Sequence, residues 1–180
     1  MRVAKGALGV ALLGSALLAA AAAPGSTPRG GHVDFFVTPS SDGIHGPVVV
    51  TGAIGDYGQT LSIDKNGKPT ADGDYVRVTL RRGTFEMDTA ALNAKARKEQ
   101  PRVDKATCSF LFSSTGPVTL SNGTGRYRGI SGTASVAITF AWIGTRYTAG
   151  KQKGQCNVSE SGQPVAQYSS ITGAGTVKLS

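Results

Sequence analysis

The strongest constraint on the fold is a repeated pattern of short segments in which large apolar side chains alternate with small or polar ones. Residues 133–143 and residues 75–81 both place their large side chains on every second position. A period of two puts such side chains on one face of a β-strand. Glycine accounts for 25 of the 180 residues and, with Asn and Asp, separates most of these segments. The pattern predicts an all-β domain with many tight turns.

The spacing of the segments predicts a single β-domain of about nine or ten strands over residues 32–180, folded as a barrel or as a sandwich. One segment differs. Residues 89–99 are rich in Ala and follow a possible N-cap at Asp88 or Thr89, so they predict one short helix outside the core. The predicted strands are residues 32–37, 47–51, 56–63, 75–81, 83–87, 107–113, 117–120, 127–131, 133–143, 155–158, 165–171 and 175–179.

The N-terminus has the features of a secretory signal peptide. Arg2 and Lys5 precede eighteen uncharged residues, 6–23, and Ala20 and Ala22 form the small-residue pattern of a cleavage site. We expect residues 1–22 to be removed, residues 23–31 to form a flexible leader, and the mature chain to be secreted without a membrane span. The alternative is an uncleaved anchor, because eighteen residues is near the minimum length of a span.

The basic residues are unevenly distributed. The full chain has a formal net charge of +8, and loss of the signal peptide leaves 17 basic and 11 acidic residues, or +6. From Lys105 onward the chain has seven basic residues and one acidic residue, Glu160. We expect affinity for an anionic cell-envelope component, or else a contribution to solubility only. Nucleic acid is not an expected partner, because aromatic residues do not interleave with the cations. The basic residues in question include Arg126, Arg128, Arg146, Lys151 and Lys153.

Cys108 and Cys156 are the two cysteines of the chain. In an exported protein an isolated pair predicts one disulfide. By the chain-entropy relation, closing this loop would stabilise the fold by about 4 kcal/mol. The alternatives are a catalytic thiol or a metal pair.

Residues 122–134, NGTGRYRGISGTA, resemble the hairpin motif of the dirigent and allene-oxide-cyclase-like β-barrels. In this motif we expect Gly123 and Gly125 to supply positive φ, Tyr127 to pack over the sheet, and Gly129 and Gly132 to allow the strand to bulge. Residues 51–59, TGAIGDYGQ, fit the first strands of the superfamily less specifically. The close resemblance covers about a tenth of the chain.

The resemblance implies an exported bacterial member of that superfamily: an antiparallel eight-stranded β-barrel of calycin-like type, with a central cavity and a tendency to form homo-oligomers. In plant members such a cavity steers the cyclisation or coupling of a reactive apolar intermediate. The matching segment is structural, so no catalytic residue can be carried over from the family.

Polar residues on short strands near glycines are the candidate ligand-binding residues. A carboxylate and a guanidinium at a barrel mouth would pair with each other or bind a polar ligand group. The alternative is a set of ordinary surface ion pairs, each worth under about 1 kcal/mol. The candidates are Asp56, Tyr57, Arg77, Glu86, Tyr127 and Arg128.

Other chemistries have little support. The chain has no GxSxG elbow and only two histidines. His32 and His45, with nearby Asp34 and Asp42, match no spacing of a known metal motif, so neither a metal nor a cofactor is expected.

Three hypotheses for function remain. The first is a non-catalytic barrel that binds a small apolar ligand or a surface partner. The second is an isomerase or cyclase of the allene-oxide-cyclase-like kind. The third is a structural protein whose lumen is filled by Phe110, Phe112, Phe140 and Trp142.

Overall fold

The computed structural model describes residues 30–157 and 164–180. The expected signal peptide and most of the expected leader lie outside this part of the chain. Gly30 and Gly31 already belong to the first strand, which therefore begins two residues earlier than predicted. The elements are β1 Gly30–Val37, β2 His45–Val50, β3 Asp56–Ile63, β4 Tyr75–Leu80, β5 Gly83–Asp88, α1 Ala90–Ala96, β6 Arg102–Asp104, β7 Ser109–Ser121, β8 Ser131–Ile143 and β9 Ala166–Lys178.

The strands form a closed antiparallel barrel of eight strands, in the order β5-β4-β3-β2-β1-β9-β8-β7, and pairing of β5 with β7 closes the ring. The ninth strand, β6, lies outside the barrel and pairs with the other end of β7. The predicted barrel with one short helix is confirmed, and the sandwich alternative does not hold.

The barrel is closed at one end by tightly packed side chains. Alternate residues of each strand point inward, and the inner side chains of this half form one continuous core. Phe85 is fully buried between the edges of Phe35 and Tyr127, with ring centroids 6.4 and 5.8 Å away. This end of the barrel therefore has no room for a ligand.

Two strands are longer than expected. The segments predicted at 107–113 and 117–120 are joined in the single strand β7, Ser109–Ser121, and those predicted at 165–171 and 175–179 in the single strand β9, Ala166–Lys178. The glycines that suggested breaks are sites of close packing instead. A Cβ at Gly116 would meet Leu92, and a Cβ at Gly175 would collide with the carbonyl oxygen of Thr133.

The predicted strand at residues 127–131 is wrong. Residues Gly125–Tyr127 form a 3-10 turn that packs across the closed end of the barrel. Asn122, rather than Gly123, adopts positive φ, at 55°, beside Gly125 with the same value. Gly123 is needed for a different reason, because a Cβ there would overlap the carbonyl oxygen of Tyr127.

The predicted strand at residues 155–158 is reduced to an isolated bridge between Arg146 and Cys156, and residue 158 lies outside the described part. This bridge is part of a hairpin over residues 145–157, in which backbone bonds join Tyr147 to Gln155 and Thr145 to Asn157.

Helix α1 lies outside the barrel, but the prediction that it lies outside the core is wrong. Leu92 is only 1% exposed and belongs to the core, where it covers Gly116 in the gap between β5 and β7. β5 pairs with only three residues of β7, so the helix seals the part of this seam that backbone pairing leaves open.

The disulfide between Cys108 and Cys156 is confirmed, and the chain has no other cysteine. It is compatible with an oxidising, extracellular location. Within residues 30–157 and 164–180, no helix has the length and apolar character needed to cross a membrane.

Candidate functional site

A cavity of about 680 Å³ opens at the end of the barrel opposite the 3-10 turn. Its inner wall is formed by apolar side chains from seven strands and from helix α1. These side chains are Phe35, Val37, Val48, Val76, Val78, Met87, Leu92, Phe110, Val136, Ile138, Phe140, Trp142 and Ile171.

One side of the cavity mouth is taller than the rest. β7, β8 and β9 have 13 residues each, whereas the other barrel strands have six to eight. β9 pairs with β1 no further than Ile171, so the ends of β7, β8 and β9 continue past the barrel wall. We call this extension, residues 102–104, 109–113, 139–143 and 166–170, the flange.

The inner face of the flange is aromatic. Phe110 and Trp142 are cross-strand neighbours whose rings are stacked, with centroids 4.7 Å apart and an interplanar angle of 7°. The ring centroids of Phe112 and Phe140, the next cross-strand pair, are 6.4 Å apart. Phe110, Phe140 and Trp142 border the cavity without filling it, which argues against the packed-lumen hypothesis.

Ionisable side chains border the cavity only at its rim. Among the described lining residues they are His45, Asp72, Arg97 and Tyr168, and all four are exposed. His45 Nδ1 lies 3.0 Å from Asp42 Oδ2, and this hydrogen bond, with two from backbone N–H groups, lowers the pKa of Asp42 to about 2. Deeper in the wall, the Thr60 hydroxyl donates to the Gly46 carbonyl. A ligand in the interior would therefore contact mainly apolar side chains and a few uncharged hydroxyl groups.

Two of the predicted site residues meet at the closed end. Asp56 begins β3 and is buried, and the hydroxyl of Tyr127, from the 3-10 turn, donates to its Oδ2 over 2.5 Å. Arg82, which sequence reasoning missed, donates to the same oxygen from Nε at 3.1 Å and from its backbone N–H at 3.2 Å. The Arg82 guanidinium also donates to the carbonyls of Ile54 and Gly55, both at 2.6 Å.

The contacts within this cluster keep Asp56 ionised and Tyr127 protonated around neutral pH. Burial alone would raise the pKa of Asp56, but hydrogen bonds from Tyr127, the Tyr57 N–H and Arg82 outweigh it and lower the pKa to about 2. Burial and the neighbouring carboxylate raise the pKa of Tyr127 to about 12. Asp56 is therefore an ionised, fully bonded carboxylate that closes the barrel end, and it does not border the cavity.

Arg77 and Glu86 also meet, but on the outer surface. They are cross-strand partners on β4 and β5, and Arg77 Nη2 donates to Glu86 Oε1 at 3.1 Å. The Asn122 amide donates to the other carboxylate oxygen at 2.8 Å. The Asn122 bond first, and then Arg77, lower the pKa of Glu86 against the opposing effect of burial. This group ties the β4–β5 hairpin to the end of β7.

The remaining two candidates are exposed. The Tyr57 ring lies on the outer face of β3 under the Arg81 guanidinium, 5.4 Å from the ring centroid, and Arg128 follows the 3-10 turn. None of the six candidates is among the described residues that line the cavity. The alternation of Val136, Ile138, Phe140 and Trp142 in β8 identified the inward face of that strand, on which all four residues border the cavity.

The basic residues of the C-terminal half form two groups rather than one patch. Arg126 and Arg128 lie at the closed end, before β8 begins, and Arg146, Lys151 and Lys153 lie beyond its other end. A strand of 13 residues separates the groups by roughly 40 Å.

No cluster of three or more His, Cys, Asp or Glu side chains able to hold a metal occurs in the described ranges. His32 Nε2 bonds to Asp34 at 3.0 Å, separately from the His45–Asp42 pair.

The class that fold and site define is a small disulfide-linked β-barrel with an apolar cavity open at one end. Comparisons with models of protein families, with curated proteins and with solved structures found no match.

Proposed function

We propose that this chain is an exported, non-catalytic binding protein that holds a small apolar ligand in its barrel cavity. The observation that supports this most directly is the cavity itself. Its volume of about 680 Å³ falls in the usual range for small-molecule sites, and its walls are apolar with polar groups at the rim. Export is supported by the signal-peptide pattern of residues 1–22 and by the disulfide.

The distribution of ionisable groups favours binding over catalysis. General acid or base chemistry needs a titratable group within hydrogen-bond reach of the reacting atoms. The ionisable side chains among the described lining residues are exposed at the rim, whereas the buried carboxylate, Asp56, lies at the opposite end. A ligand inside the barrel would contact mainly hydrocarbon and aromatic surfaces.

The second candidate is an isomerase or cyclase of the allene-oxide-cyclase-like kind. The observation that favours it is the resemblance of residues 122–134 to the hairpin motif of those barrels. Such a protein would steer a reactive apolar intermediate by cavity shape, and its ligand would leave chemically changed.

Native mass spectrometry of the protein from its own culture supernatant tests both candidates. We expect a covalent mass that lacks residues 1–22 and two thiol hydrogens, and an added mass that leaves on activation. A protein that is empty in this spectrum and also fails to bind the neutral fluorescent probe N-phenyl-1-naphthylamine would contradict the proposal. Recovery of a ligand together with its isomer would favour the cyclase.

A pair of variants locates the ligand. Ile138→Trp adds a large ring on the cavity wall, and Ser135→Trp adds the same ring on the exposed outer face of the same strand. We expect Ile138→Trp to weaken probe binding at least about tenfold, because it fills volume the probe occupies. Equal weakening by both variants would place the probe outside the barrel.

A further inference from the structure

The outer face of the flange carries an apolar surface, and two of its residues, Ala141 and Tyr168, also border the cavity. Leu111, Ala141 and Tyr168 are cross-strand neighbours in one row, and Ile143 pairs with Ala166 in the next. Tyr168 is 63% exposed, Ile143 47% and Leu111 39%. These side chains border a shallow groove between β6 and β9. Val165, just before β9, is 70% exposed and extends the apolar surface.

Four cations lie in this groove or on the two loops joined to the strands of this surface. Arg102 and Lys105 lie on and after β6, and Lys151 and Lys153 lie in the hairpin beyond β8. All four are exposed, and none makes an ion pair with a described residue. Asp104 is the single carboxylate among the described residues of this corner. An apolar row with one cation in its groove and three on the connected loops is complementary to a surface that is both apolar and anionic.

The hairpin is held in a fixed position. Arg146 donates to the Gly154 carbonyl within the hairpin at 2.7 Å and to the Ala106 carbonyl of the β6–β7 turn at 2.5 Å. The disulfide joins the same two segments a few residues away. Arg146 is therefore used internally, while the two lysines of the hairpin stay directed to solvent on a preorganised support.

We propose that the flange and this hairpin dock on the surface of an anionic lipid bilayer. Proteins that bind at a bilayer surface place apolar and aromatic side chains at the headgroup boundary and cations against anionic headgroups. A second copy of this chain fits less well, since a two-fold contact across this face would bring the cations of both copies together. Docking would hold the cavity mouth, whose wall is the inner face of the flange, next to the membrane.

Vesicle binding tests the proposal without reference to any cavity ligand. We expect the protein to sediment with vesicles of equimolar phosphatidylcholine and phosphatidylglycerol and to bind vesicles of phosphatidylcholine alone at least about tenfold more weakly. Binding should also fall as salt rises from about 0.1 M to about 0.5 M. Trp142, the one tryptophan of the chain, lies in the flange, so brominated lipids should quench its fluorescence.

Matched double variants separate location from net charge. Lys151→Ala with Lys153→Ala removes two cations at the flange, and we expect it to weaken binding to anionic vesicles by roughly 30-fold. Arg126→Ala with Arg128→Ala removes the same charge at the closed end and should leave binding unchanged. Leu111→Ser with Ile143→Ser keeps every charge and changes no residue that lines the cavity, but it should also weaken binding. All six side chains are exposed, so the fold should persist.

Three results would overturn the proposal. Absence of sedimentation with the anionic vesicles would exclude it directly. Equal loss in the two charge variants would mean attraction by net charge alone. A dimer in sedimentation velocity that Leu111→Ser with Ile143→Ser dissociates would show that a second copy covers the flange. Binding of N-phenyl-1-naphthylamine should stay intact in these variants, so failure here is distinguishable from failure of the cavity proposal.

Discussion

Tyr127 and Asp56, 71 residues apart in the chain, are joined by a hydrogen bond of 2.5 Å at the closed end of the barrel. The Tyr127 side chain is buried and its ring packs on Phe85, while its hydroxyl reaches the carboxylate that Arg82 also binds. The 3-10 turn that carries Tyr127 is thereby attached to the start of β3. We call the packed side chains at this closed end, with Asp56, Phe85 and Tyr127 among them, the plug. The cavity lies at the other end of the barrel.

Tyr127→Phe should destabilise the fold without changing its shape. The ring contacts stay, but Asp56 loses one donor in a buried site, and hydrogen bonds to charged groups contribute about 1.5–3 kcal/mol. We expect a decrease of about 2 kcal/mol in the free energy of unfolding, measured by urea denaturation. Tyr57→Phe is the matched control, since Tyr57 is exposed and bonds to the exposed Arg81. A similar loss in both variants would contradict this account.

The same cluster predicts how stability depends on acid. The pKa of Asp56 falls from 3.8 to about 2 on folding, so its contribution is fully present above pH 3.8 and is lost as the pH falls through about 2. For this nearly buried side chain the shift corresponds to about 2 kcal/mol. Urea denaturation between pH 2 and neutrality should therefore show a smaller acid-induced loss in Asp56→Asn than in the wild type. An equal slope in the two proteins would show that other carboxylates dominate.

At high pH the sign is reversed. The pKa of Tyr127 is raised from 10.0 to about 12, so its contribution is present below pH 10 and is lost as the pH rises through about 12. Tyr127→Phe should remove this part of the alkaline loss of stability. The measurement is urea denaturation from pH 8 to pH 11, with Tyr57→Phe again as the control.

Local sequence patterns predicted the secondary-structure elements better than they predicted which distant residues those elements contact. Alternation is a property of a few neighbouring residues, and it identified the start of β4 at Tyr75 and the end of β8 at Ile143. The role of Tyr127 could not be found in this way, because the plug depends on Asp56 and Phe85, which are distant in sequence. Gly116 was misleading for a related reason: it suggested a break, whereas it provides space for Leu92.

The candidate site likewise shows what local sequence can and cannot predict. Asp56 and Glu86 were selected as charged residues near glycines, and each does bind a guanidinium, but away from the cavity. The cavity lining consists of apolar residues, which a sequence does not distinguish from core. Only the unequal lengths of the strands, a property of the assembled sheet, determine which apolar residues border open space.

Removal of the disulfide should affect the hairpin and the flange more than the closed end. Cys108→Ala with Cys156→Ala opens a loop that the chain-entropy relation values at about 4 kcal/mol, an upper figure. Because neither the two cysteines nor the hairpin over residues 145–157 belongs to the core around Phe85, we expect a folded but less stable barrel. Hydrogen exchange should increase in residues 145–157 and stay slow in β3 and β4. Increased exchange throughout the barrel would show that the disulfide supports the whole fold.

Leu92→Ala should both destabilise the barrel and open its seam. Leu92 is the buried residue of α1, and it fills the gap that β5 and β7 leave unpaired beside the cavity. Truncation of a buried leucine costs about 3 kcal/mol, which thermal unfolding would detect. The seam would also admit water and ligand from the side, so N-phenyl-1-naphthylamine should dissociate faster in stopped-flow measurements. Lys98→Ala, an exposed change just after the same helix, should alter neither quantity. Loss of stability with an unchanged dissociation rate would mean that Leu92 supports the core and that the ligand leaves only through the open end.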